Sequence, residues 1–83
     1  MKKLFKTADV ILAAVILSAT EAHLNRVEHD ESETLFVFEQ KYIHKDLIAA
    51  YTDGLVRVEP MAFSMILKYV VVRALEYKND KSE

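Results

Sequence analysis

The sequence predicts a small single α+β domain in which helices pack on a three-stranded, mainly antiparallel sheet, in the order α-β-β-α-β-α. Three observations carry that prediction. An unbroken apolar run, Val10 to Ala19, has the length and composition of a buried helix. Thr34 to Phe38 is a β-branched and aromatic stretch bounded by polar residues, the pattern of a strand. The single glycine, Gly54, and the single proline, Pro60, punctuate two further helical stretches. The domain is expected to span residues 1–78, with a disordered tail at 79–83.

The first helix is expected to follow Thr7 as N-cap, with Asp9 in its first turn where an acid complements the positive helix end. Lys2, Lys3 and Lys6, the apolar run and Thr20-Glu21-Ala22 also resemble a secretion signal with a cleavage site. Asp9 argues against that reading, because signal sequences seldom place an acid there, and cleavage would remove much of the core of a cysteine-free fold. A membrane span fails on length: ten helical residues rise about 15 Å, against about 30 Å of hydrocarbon. The run has no polar face before Ser18, so it should be buried on more than one side.

His23 to Glu28 reads as a weaker strand, joined to Thr34–Phe38 by the acidic turn His29-Asp30-Glu31-Ser32-Glu33. Leu35 with Val37 and Phe36 with Phe38 are both apolar sets, which suggests cover on both sheet faces. Gln40 to Asp53 follows as a second helix, with Ile43, Leu47, Ala50 and Tyr51 at helical spacing. Val56 and Val58 alternate with Arg57 in a short third strand. Pro60 opens a last helix to about Tyr77, whose core face is Phe63, Ile66, Leu67, Val70 and Ala74. A second row, Met61, Met65, Tyr69 and Val72, recurs on that helix at i, i+4, i+8 and i+11. It belongs either to a broad core face or to a partner surface.

Eighty-three residues lie near the lower limit for an unaided core, and the chain has no cysteine, so disulfides and thiolate zinc sites are excluded. Apolar residues nevertheless make up 52% of the chain. A small domain has proportionally more surface, so this excess points to a subunit interface. Met61, Met65, Tyr69, Val72, Ile11 and Val15 are its candidate residues. The net charge of −2, with both signs intermixed, gives no forecast of a sequence-independent hold on nucleic acid.

Chemistry finds little footing. His23 and His29 with Asp30, Glu31 and Glu33 could be drawn as a metal site, but an acidic turn in water is the commoner origin of such a cluster, and no metal or other cofactor is expected. Lys41, Tyr42, Lys45 and Arg57, with His44 nearby, form a candidate anion-binding strip. The same lysines with Arg57 and Arg73 would serve nucleic acid, a partner the net acidity disfavours. There is no cysteine nucleophile, no nucleophile elbow around a serine and no glycine-rich phosphate loop. The chain is therefore not expected to be an enzyme.

Phe5-x-Thr7-x-Asp9-x-x-Leu12-Ala13-Ala14, Leu35-Phe36-Val37-Phe38-Glu39 and Asp53-Gly54-x-Val56-x-Val58-Glu59-Pro60 together resemble a small family of uncharacterised bacterial and phage proteins, catalogued as a domain of unknown function. The resemblance covers Phe5 to Tyr77. Such relatives often carry a glycine after the first helix, where this chain has Glu21-Ala22-His23. The resemblance supplies no catalytic residues and implies a cytoplasmic, phage or mobile-element setting. The resulting expectation is a non-enzymatic homo-oligomeric interaction module, most simply a dimer without membrane attachment, that binds a host macromolecule. The rival is a module for nucleic acid or a small anionic nucleotide.

Overall fold

The computed structural model describes the backbone of residues 3–81 and the side chains of residues 3–76. The elements are β1 (Leu4–Thr7), α1 (Val10–Ala19), β2 (Arg26–His29), β3 (Thr34–Glu39), a 3₁₀ turn at Gln40–Tyr42, α2 (Lys45–Thr52) and α3 (Pro60–Lys81). The sheet order is β1-β3-β2, antiparallel throughout. The α+β class, the three-stranded antiparallel sheet and the β2–β3 hairpin over an acidic turn are as the sequence predicts. The hairpin closes with Asp30 N–H donating to the Glu33 carbonyl at 2.9 Å.

β3 is central because both of its side-chain sets are apolar, so neither face could be left in water. Phe36 and Phe38 point into the core with Phe5 and Val27, their cross-strand neighbours. Val37, on the opposite face and outside the main core cluster, is fully buried. It pairs with Lys6 on one side and Arg26 on the other. Glu28 accepts from both, at 2.9 Å from Lys6 Nζ and 2.7 Å from Arg26. The two cations tied by that carboxylate are thus the cross-strand neighbours of the buried valine. Lys6 first and Arg26 second hold the Glu28 carboxyl below its ordinary range.

The third strand is not where the alternation of Val56 and Val58 puts it. β1 takes that place, and no strand forms at 56–58. With β1 and β2 on its two edges, β3 has no free ladder left. Val56 and Val58 are instead half-buried beside Ile11, Val15 and Phe63. The helix expected over Gln40–Asp53 is also corrected. Gln40 N–H still donates to the Lys3 carbonyl at 2.9 Å, so sheet pairing holds the chain extended to that point. Ile43 then stays extended and enters the core, and α2 starts only at Lys45.

α2 ends as the glycine predicts. Gly54 has φ +72°, Leu55 N–H donates to the Ala50 carbonyl at 2.8 Å, and Gly54 N–H to the Tyr51 carbonyl at 3.1 Å. This is the Schellman pattern of bonds. A Cβ there would meet no atom within 4 Å, so only backbone strain opposes substitution. Gly54→Ala is expected to cost about 1–2 kcal/mol, the penalty of left-handed backbone for an L-residue, read from denaturant midpoints. A stabilised variant would show that the turn relaxes.

The N-cap of α1 is Asp9 rather than Thr7. Asp9 Oδ1 accepts from Leu12 N–H at 3.0 Å, and Thr7 Oγ1 accepts from Asp9 N–H at 3.0 Å, fixing the entry to the helix. Tyr51 of α2 donates its hydroxyl to Asp9 Oδ2 at 2.7 Å. The Leu12 N–H, aided by Tyr51 and opposed by partial burial, holds the Asp9 carboxyl below its ordinary value. A carboxylate with a depressed folded pKa contributes its full stability above the unfolded pKa, about 3.9, and loses it as pH falls through the lower folded value. Wild-type unfolding midpoints should therefore decline below about pH 4 more steeply than those of Asp9→Asn, which still caps but cannot titrate. Equal slopes would remove Asp9 from the acid limb.

Five consecutive residues of α1, Leu12 to Ile16, are buried, so the helix is wrapped by its own chain. It needs no glycine to stop. Thr20, in extended backbone, donates its N–H and its hydroxyl to the Ile16 carbonyl, and Ser18 Oγ donates to the Ala14 carbonyl. Pro60 opens α3 as predicted, with Glu59 accepting from the N–H groups of Met61 and Ala62. α3 continues past Tyr77 to Lys81. Residues 79–81 of the expected tail thus continue the helix, and residues 82 and 83 lie outside the described residues.

Candidate interaction surface

At 3.6 residues per turn, successive side chains of α3 are about 100° apart. Val70 is fully buried, and Phe63, Ile66, Leu67 and Ala74 pack beside it, so the expected core face is the observed one. Met61 lies about 180° from Val70, with Met65 and Val72 within about 40° of Met61. The second apolar row is therefore not a widening of the core face but its opposite pole. Met61 is 73% exposed, Met65 69% and Val72 50%. Leu75 extends the row by another turn, and Tyr69 flanks it with the Arg73 guanidinium 6.0 Å from its ring centroid. A helix on the surface of a lone domain normally carries charge at that pole, whereas here Lys68 is the one charged residue among Met61, Met65, Val72 and Leu75.

The two candidates on α1 divide. Ile11 is exposed and stands near the α2–α3 connection, where Leu55 is also exposed. Val15 is only 4% exposed in the single chain, so it is withdrawn from the surface; its partners are residues of its own fold. The uniform apolarity of α1 has an internal cause, since it packs between the sheet and α3.

Beside the outward row, a groove of about 460 Å³ runs between α3 and the α1–β2 connection, with Met65 and Tyr69 on one wall and Ala22, His23 and Leu24 on the other. His23 and His29 do not share a strand face. His23 precedes β2, whereas His29 Nδ1 lies 2.8 Å from Thr34 Oγ1 at the far end of that strand. Among the described residues, no group of three or more His, Asp or Glu side chains converges in a way that could hold a metal ion.

The basic candidates are dispersed over different elements. Lys41 stands 3.6 Å from Glu39 and 5.0 Å from the Tyr42 ring centroid. The Tyr42 phenol as it ionises, and then Glu39, hold Lys41 above its ordinary pKa. Tyr42 itself packs against the core. Lys45 belongs to α2, beyond the break at Ile43–His44, so it does not continue one helical strip with Lys41. Arg57 instead borders a groove with Ser18, Ala19 and Ala62. The feature that sequence reasoning missed is the Lys6–Glu28–Arg26 tie across the sheet; only the strand register sets Lys6 level with Arg26, within reach of Glu28 two residues along β2.

The fold and its surface thus define a small α+β domain carrying an outward apolar helix face. Comparisons with models of protein families, with curated proteins and with solved structures return no match. Among the described residues, no helix is long and apolar enough to cross a membrane.

Proposed function

We propose that this protein is a non-enzymatic interaction module that assembles with further copies of itself through the outward face of α3, a dimer being the simplest closed form. The observation that carries this reading is the apolar pole opposite the core, Met61, Met65 and Val72 with Leu75. Full burial of a Val- or Met-sized side chain stabilises by roughly 1.5–3 kcal/mol, so four of them left in water on each copy forgo several kcal/mol. Among the described residues, Asp9 and Glu28 have carboxyls with lowered pKa, and both have structural partners, a helix start and an ion-paired tie. Sedimentation equilibrium at micromolar concentration is expected to give at least twice the 9.5 kDa mass of one chain. A strict monomer under those conditions would overturn the proposal.

A further inference from the structure

The outward pole of α3 has a spacing that names the shape of its cover. Met61, Met65, Lys68, Val72 and Leu75 follow one another at four, three, four and three residues. That spacing is the one used by the seam of a two-helix pair, in which side chains of one helix enter spaces between those of the other. All five are exposed. One of them, Lys68, is charged, and it sits in the middle of the seam. Glu76 stands exposed on the flank of the row, one helical turn beyond Val72. Among the described residues, neither Lys68 nor Glu76 takes part in an ion pair.

We infer that the occupant of this face is the α3 helix of a second copy running antiparallel to the first, with Lys68 of each chain reaching Glu76 of the other. The inference rests on the self-assembly proposed above and adds the orientation and register. In a parallel pair, Lys68 would face Lys68 across the symmetry axis, with like charges in the driest part of the contact. An antiparallel pair centred near position 70 removes that clash. Met65 then meets Leu75 of the second copy, and Lys68 meets Val72, each contact occurring twice. From beside Val72 the lysine stem covers apolar surface while its ammonium extends one turn to Glu76. A charged residue inside a seam selects orientation at some cost in strength. Here the selection is against the parallel form.

The test uses the whole chain and two kinds of variant. Lys68→Glu and Glu76→Lys are each expected to weaken self-association about tenfold, because two symmetry-related pairs change from attraction to repulsion. The double exchange should return it to the wild-type value. The chain has no cysteine, so an introduced thiol is unique. Two Met61→Cys chains would lie side by side in a parallel pair but about 27 Å apart along the axis in the antiparallel one, far beyond disulfide reach. Oxidation should therefore leave Met61→Cys unlinked, while an equal mixture of Met65→Cys and Leu75→Cys chains links. Ready self-linking of Met61→Cys, or failure of the double exchange to restore association, overturns the antiparallel pair. If Met65→Lys still dissociates the assembly, such a failure leaves the wider reading of the α3 face standing. If Met65→Lys has no effect, both fall.

Discussion

Met65→Lys and Val72→Glu are each expected to reduce the assembly to a single 9.5 kDa chain at micromolar concentration. Both side chains are largely exposed in the isolated fold, at 69% and 50%, and neither supports the core. Their loss should change the stability of one chain by no more than about 0.5 kcal/mol, as for other surface substitutions. In an assembly each change acts twice. Removing two buried apolar groups forgoes roughly 3–6 kcal/mol, a weakening of about 10²- to 10⁴-fold in dissociation constant, before any cost of trapping a charge. Light scattering measures the mass, and thermal melts at several protein concentrations separate the two effects. Wild type should melt higher as concentration rises, because association draws on the folded state alone. The variants should not. If both variants keep the wild-type mass and concentration dependence, α3 does not form the contact.

The second large effect is expected at the sheet centre. Phe36→Ala should destabilise the chain by about 3–5 kcal/mol, a large fraction of the roughly 4–12 kcal/mol available to a domain of this length. Phe36 is fully buried between its neighbours Thr7 and Val27 in the sheet and the helical layer above them. Leu35→Ala, one residue away on the other sheet face and only half-buried, should cost much less. Urea midpoints of the two variants compare the faces directly. Equal losses would mean that the Lys6–Glu28–Arg26 tie seals its face as well as the helices seal theirs.

These expectations divide by how local their causes are. The C-terminal end of α2 and the start of α3 were legible because a glycine with positive φ and a proline at a helix start act within a turn of themselves. The two rows of α3 were legible because 3.6-residue periodicity assigns each side chain a direction. β1 was not. Leu4–Thr7 is a four-residue strand among lysines, with little intrinsic preference, and it exists because the β3 edge supplies its hydrogen bonds. Phe5 and Thr7 alternating with Lys6 just ahead of a capping Asp9 were the only signal, and they look equally like the flank of an apolar segment.

The chain composition and periodicity by themselves determined an α+β domain, a hairpin over an acidic turn, a buried first helix and a last helix apolar at both poles. Tertiary structure decided which apolar groups the single chain could cover. Leu12 to Ile16 of α1, Val15 among them, found cover inside the fold, whereas Ile11, Met61, Met65 and Val72 did not. Periodicity fixes the direction of a side chain relative to its own helix axis, but burial depends on what packs in that direction. That second quantity is set by contacts between residues distant in sequence, which no local pattern records.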